Sequence, residues 1–337
     1  SCSGTERPSE NLREGVIVVA NKSGDDVYFI DRRDGALLKA LPAGPEPHEV
    51  EVSDDGRIAV VCNYGGREVA GHTLSVFDIE AGELIRTIDL GEHTRPHGMQ
   101  WISGTTRMLV TTEGSQSLLE IDVSRGEVIK AMYTGEPVSH MVAATPEFTL
   151  AFVPSIRTGN VVVFDLETGN LIETIYSGEG AEGIAMHPAG LEVWVTNRAE
   201  NTLTVIDTQG LKVVDRIPCA DFPIRAKFTP DGRYLLVSNA RSGDIGVFET
   251  ASREQVARIK LTPPAPEAEM ESRYFAEFEE TSVPIGLVVP DNRWAYVANT
   301  RADVVSIIDL ESMEITGHLP AGREPDGIHH SPLCPAQ

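Results

Sequence analysis

Seven short apolar runs, each ending in an acid, constrain this chain more than any other feature. They read VYFID, LSVFD, LLEID, VVVFD, LTVID, IGVFE and VSIID, and their last residues are Asp31, Asp78, Asp122, Asp165, Asp207, Glu249 and Asp309. Five of the six intervals lie between 42 and 47 residues, and the last is 60, so the sixth unit carries an insertion. A period of this size marks a repeat architecture. Around each acid-ended run stand a following apolar run (DGALLKAL, AGELIRTI, TGNLIETI), a preceding one (VVAN, VVCN, VWVTN, LLVSN) and, upstream again, a fourth (HEVEVSDDG, IRAKFTPDG). Short alternating runs rich in Val and Ile, joined by Asp-Gly and Pro turns, read as antiparallel strands.

Four strands repeated seven times predict an all-β, seven-bladed β-propeller, whose radial closure protects the sheet edges. The first unit starts at its second strand, EGVIVVAN, and the last run, PDGIHHSPL, is an unpaired first strand. Together they complete one blade from both ends. The expected organisation is a flexible segment over 1–15 and one propeller over 16–334, with an insertion at 262–282 on the channel-rim face. The units resemble the YVTN family of bacterial and archaeal propellers, through VWVTN at 193–197, the Pro-x-Gly-Ile strand, the Pro-Asp-Gly turn and the VID run. The resemblance spans residues 16–332 and implies an extracytoplasmic protein. It does not fix a chemistry, because one propeller scaffold hosts many functions.

Composition narrows the field. The net charge of −23 and 6% aromatic content exclude a nucleic-acid surface, which needs Lys and Arg. The four cysteines, Cys2, Cys62, Cys219 and Cys334, form no CxxC pair, and no CxxCH stands ready to attach haem. No P-loop, dinucleotide fingerprint or GxSxG elbow occurs, so no nucleotide cofactor is expected. The start, SCSGTERPSE, is like a trimmed lipoprotein terminus with Cys2 as the lipid-anchored residue; a Cys2–Cys334 disulfide is the alternative. Both place the protein in the periplasm or at the cell surface, as a monomer.

Chemistry gathers at the start of the innermost strands. Aligned, these positions hold His48, His97, His140, Glu182, Ile224, Ile285 and Asp326. Nine histidines in 337 residues would put about 0.2 at seven positions by chance, and three are found. Three imidazoles facing one axis suggest a site for a transition metal, copper first, with zinc or iron as alternatives. Glu182 and Asp326 are candidates for a fourth ligand or general base. Arg198, Arg225, Arg241 and Arg301 fall on the far arc and would orient an anionic substrate. His72, in the long loop YGGREVAGHT, and His93 are further rim candidates. Cys62, beside the His48 strand, would favour copper if it were a thiolate.

Two function classes follow. One is a metal-dependent enzyme acting on a small anionic molecule, with redox chemistry ranked above lactone hydrolysis by analogy. The other is a non-catalytic module that binds a ligand or a partner protein at the rim, with the histidines as polar lining.

Overall fold

The computed structural model describes residues 13–263 and 273–336. Seven four-stranded antiparallel sheets form the seven-bladed propeller. Blade one holds the strands Pro47–Val52, Ile58–Gly65, Ala70–Asp78 and Glu83–Asp89, ordered from the axis outward. Blade seven joins Pro325–Ser331 to Val16–Asn21, Asp26–Asp31 and Leu37–Pro42, so the last strand of the chain closes the ring against the first. Cys2, expected to carry a lipid anchor or to bond Cys334, lies outside the described residues. Residues 13–15, the end of the segment expected to be flexible, pack on blade seven: Arg32 donates to the Glu14 carbonyl at 2.9 Å and to the Gly15 carbonyl through its backbone at 3.0 Å.

Burial follows strand position. Second strands such as Val16–Asn21 are buried along their whole length, because neighbouring blades cover both faces. Outermost strands such as Glu314–Pro320 alternate between exposed and covered residues, with one face to water. The cores lie between blades: Val60, Leu74 and Ile88 of blade one pack against Met99, Met108 and Val110 of blade two.

The recurring acids are turn formers. Asp78 accepts the Ala81 amide at 2.9 Å, Asp165 that of Thr168 at 2.8 Å and Asp207 that of Gly210 at 2.8 Å. Each carboxylate thus fixes the tight turn into its outermost strand. The Asn ending the second strands has a matching task. Asn197 donates to Thr202 and Thr204, and Asn299 to Ser306, tying second strand to third.

Blade three departs from the repeat. Its inner strand is reduced to Ala143–Ala144, and His140 lies before it, beside an isolated bridge between Ser139 and Ser155. Hydroxyls replace the missing ladder: Ser139 bonds Thr134 at 2.7 Å and the Glu136 carbonyl at 2.9 Å.

Candidate functional site: the upper end of the channel

One backbone device aims all seven rim side chains. The residue before each rim strand has positive φ: Glu46 (47°), Arg95 (59°), Val138 (57°), Gly180 (75°), Phe222 (62°), Val283 (52°) and Glu324 (55°). Six of these are not glycine, and each such conformation costs about 1–2 kcal/mol. A bulge follows directly. In blade one Pro47 faces Asn63 and the next pair is Val50 with Val61; blades two, four and six repeat the shift. The extra residue turns the side chains after the proline position toward the axis.

His48, His97 and His140 therefore converge. The rings of His97 and His140 stand 3.7 Å apart at 36°, and His48 meets His97 edge-on at 5.3 Å. All three are more than nine-tenths buried. Glu113 hydrogen-bonds His140 Nδ1, and Glu182 Oε1 lies 3.0 Å from its Nε2. That second contact is off-line, so His140 Nε2, like His97 Nδ1, has no hydrogen-bond partner among the described residues. Donor atoms of His97, Glu113 and His140 lie within 4.8 Å of one another, close enough to share a metal ion. His48 stands outside that set. Its Nδ1 is 2.9 Å from the Glu46 carbonyl and its ring stacks on Tyr64 at 4.2 Å.

The charges sort themselves by neighbour. Burial works against a proton on His140, but Glu182 and Glu113 outweigh it and raise its pKa. Burial and then His140 drive His97 well down. Burial and Lys22 push His48 to about 3. Of the three, only His140 has surroundings that favour the protonated form.

Opposite the histidines lies a paired charge system. Arg225 reaches across the axis from blade five to Glu49 of blade one, at 2.6 Å, and also bonds Glu182 at 3.1 Å. This bar spans the channel one residue further along the inner strands than His48 and Ile224. Arg198 bonds the other oxygen of Glu182 at 2.7 Å, and Lys22 bonds Asp326 at 2.6 Å. Burial opposes the charge on Glu182, yet Arg198, His140 and Arg225 hold its carboxyl far below the usual range. Asp326 is likewise lowered, by Lys22 and His48 against burial. Carboxylates held below the usual range take up protons poorly, which argues against the general-base expectation for both.

Other rim candidates sit elsewhere. Arg241 is exposed and lies over Phe222 and Phe278, at 5.5 and 4.7 Å. Arg301 is buried and donates to the Phe278 carbonyl. Both brace the second half of the insertion. His72 pairs with Asp89 at 2.9 Å on the outer strands of blade one, its side chain 48% exposed. His93 is half-buried in the loop before Arg95 and does not line the channel pocket. Cys62 accepts the Glu49 amide and its thiol faces the His97 carbonyl; burial pushes its pKa up, so it remains a packed thiol.

The insertion covers part of the rim. Its residues 264–272 lie outside the described ones. Phe275 and Phe278 pack with Phe222 over Ile224 and Ile285, the two apolar rim positions. Tyr274 reaches Glu46 with its hydroxyl, and its amide bonds Glu324 at 2.6 Å. The cup left open encloses about 510 Å³, lined by the three histidines, Glu113, Glu182, Arg198, Lys22, Tyr64 and Tyr274 among others. Lys22, Tyr64 and Glu113 are not among the rim-strand positions. They share one register position with Arg198, the first residue past the recurring end of the second strand (VVAN, VVCN, LVTT, VWVTN), and that shared position is the available signal.

Comparison with known proteins is consistent with this scaffold. The chain is 27% identical over 192 residues to Protein NirF of Pseudomonas aeruginosa, covering 54% of this chain and 48% of NirF. It thus spans about half the length of that curated relative. A functionally unknown protein from Desulfotomaculum acetoxidans superposes with a TM-score of 0.77 at 14% identity, over 96% of this chain and 100% of the other. Kuenenia stuttgartiensis hydrazine synthase gives 0.71 at 20%, over 92% and 99%. Dihydro-heme d1 dehydrogenase NirN, in complex with DHE, gives 0.66 at 14%, over 97% and 77%. At these identities the three structures share the fold alone. Residues 44–270 match the family model described as "Lactonase, 7-bladed beta-propeller", and the chain belongs to that family.

Proposed function

We propose that the protein is an extracytoplasmic metal-dependent enzyme acting on a small anionic substrate in the upper channel cup. The observation that carries this is the buried pair His97 and His140. Their rings are 3.7 Å apart, each leaves one nitrogen without a hydrogen bond, and Glu113 stands beside them. Two imidazoles and one carboxylate are a donor set for zinc or non-haem iron. Copper, the first expectation, loses support because the Cys62 thiol faces the core. His48, expected as the third ligand, belongs to the pocket wall in this reading.

The chain's own residues prepare that site. The Tyr64 hydroxyl donates to Glu113 and fixes its carboxylate against His140. Arg198 and Arg225 fix Glu182, which keeps a negative charge beside the other side of the same ring. Such outer contacts orient ligands and typically change metal affinity by about 10–100-fold. A bound ion would supply Lewis acidity or a redox centre. The bar from Arg225 to Glu49 spans the channel on the inner side of the cup, so substrate would enter and product leave through the rim mouth.

A second reading places the metal inside the ligand, as the iron of a non-covalently held tetrapyrrole. The aromatic faces of His48, Tyr64 and Tyr274 around a cup of about 510 Å³ favour it. So do the names of the relatives, NirF and a dehydrogenase in complex with DHE. The YVTN-like repeats support the location outside the cytoplasm.

One experiment separates these. Purified protein is analysed for metals after incubation with Zn²⁺, Fe²⁺ or Cu²⁺, and separately titrated with an iron porphyrin followed in the Soret band. Stoichiometric zinc or iron that is lost in His97→Ala/His140→Ala supports the first reading. A histidine-dependent Soret shift without retained metal ion supports the second. Neither signal would leave a non-catalytic binding module and sink the enzyme proposal.

A further inference from the structure

The arginines of the far arc are occupied: Arg198 and Arg225 by Glu182 and Glu49, Arg301 by a backbone carbonyl, and Arg241 by aromatic rings. Two other arginines at the cup are in a different state. Arg67 lies at the tip of the loop between Ile58–Gly65 and Ala70–Asp78, is exposed, lines the cup and has no ion-pair partner among the described residues. Arg95 stands two residues before His97, also lines the cup, and uses its guanidinium on neutral groups only. It donates to the carbonyls of Gly65 and Gly66 at 3.2 and 2.8 Å and lies over the Tyr64 ring at 4.9 Å. Those two bonds leave three of its five N–H donors available.

The loop is built to bring the two together. Gly65 has φ 82°, and a Cβ there would stand 2.0 Å from the Gly71 amide nitrogen, so the turn admits only glycine. The chain then folds back over Arg95 and presents Arg67 at the mouth. Charge supplies the ligand's sign. The cup lining holds five cations (Lys22, Arg67, Arg95, Arg198, Arg225); three of them are paired with carboxylates, and the other two, Arg67 and Arg95, stand together at the mouth of the cup.

We propose that Arg95 and Arg67 recognise a carboxylate of the substrate and are the specificity determinants of the site. This rests on the reading of the cup as a metal-dependent site for the identity of the reacting group. The carboxylate end of the substrate would sit against the Tyr64 side of the mouth, and the rest of the molecule would reach inward past His48 toward His97. The planar guanidinium fork of Arg95 suits a carboxylate plane. Arg67, on its mobile stem, adds attraction at the entrance.

The test uses the chelator-treated 337-residue chain and three probes of one size class: benzoate, its neutral isostere benzamide, and phenyl phosphate, each titrated by calorimetry. Benzoate is expected to bind about ten-fold or more tightly than benzamide, as a charge-assisted contact requires. Arg67→Gln and Arg95→Gln should each remove most of that preference, and Arg241→Gln should leave it unchanged. Equal binding of benzoate and benzamide, or no benzoate binding, overturns the proposal. So does tighter binding of phenyl phosphate, or a preference that survives Arg67→Gln, an exposed substitution that leaves the fold intact. Because no metal is present in the titration, a failed metal reading and a failed carboxylate reading give different results.

Discussion

Glu182 and Glu51 are both glutamates of inner strands, both turned to the channel and both largely removed from water, yet their protons behave oppositely. Glu182, in the upper cup, is held far below the usual carboxylate range; Glu51, below the bar, is pushed up to about 7. Burial opposes the charge on each. The difference is company. Glu182 has Arg198, Arg225 and His140 within 3.1 Å. Glu51 has a backbone amide, that of Trp101 at 2.8 Å, the exposed Lys227, and a His329 nitrogen at 3.8 Å. Burial itself pushes His329 down to about 4, so it brings no charge at neutral pH. One scaffold therefore surrounds its inner-strand glutamates with tightly paired charge at one end of the channel and with few direct partners at the other. Perturbed, charge-matched groups mark functional sites more often than neutral packing does, and that favours the upper chamber.

The largest effect should come from breaking the partition between them. Arg225→Met strands Glu49 and weakens the hold on Glu182, and removal of one partner from a buried pair costs about 3–5 kcal/mol. Denaturant unfolding should show that loss as a lower midpoint. The double variant Glu49→Gln/Arg225→Met should recover a large part of it, because no orphaned charge remains at residue 49. A double variant no more stable than the single would mean that the bar is not a closed pair.

How far the sequence foretells this division can be followed residue by residue. The ring is legible because Asp78, Asp165 and Asp207 do local work: each accepts an amide three residues on, so the signal survives in the linear pattern. His48, His97 and His140 are legible because each follows, two residues on, a positive-φ residue at the same place in the repeat. The bar is not, since Glu49 and Arg225 are 176 residues apart and only ring closure brings them together. Arg241 and Arg301 mislead by one residue. They stand two positions past the second strand, whereas Arg198, Lys22 and Glu113 stand one past it, and a one-residue step turns a side chain to the other face. Glu113 escapes notice because Lys, Tyr, Glu and Arg share that position with no common chemistry to flag it.

A smaller effect tests the lower chamber by pH. Because the folded-state pKa of Glu51 is raised from 4.5 to about 7, the folded protein holds this proton more tightly than the unfolded chain. Its contribution is therefore fully present below pH 4.5 and lost as the pH rises toward 7, amounting to about 3 kcal/mol. Asp54 adds to the upward push and Lys227 opposes it. Glu51→Gln keeps an oxygen for the Trp101 amide and removes the titration. It should be more stable than wild type at pH 8 by up to about 3 kcal/mol and equal to it at pH 4. Denaturant titrations at the two pH values measure the gap, and the same gap at both would show that Glu51 does not titrate in that window.

The smallest effect concerns Lys227, the cation among the described residues whose charge lowers the Glu51 pKa. Its side chain is exposed, so solvent and salt screen it, and its worth is under about 1 kcal/mol. Lys227→Met should move the Glu51 titration upward in pH at low ionic strength, and 0.5 M salt should erase most of the difference. In the upper chamber the analogous change, Lys22→Met, should resist salt, because Lys22 and Asp326 are 2.6 Å apart and buried. Side-by-side stability curves of the two lysine variants with and without salt read this directly. If both respond to salt alike, the two ends of the channel differ only in composition, and the paired charge of the upper cup does not distinguish it as the functional end.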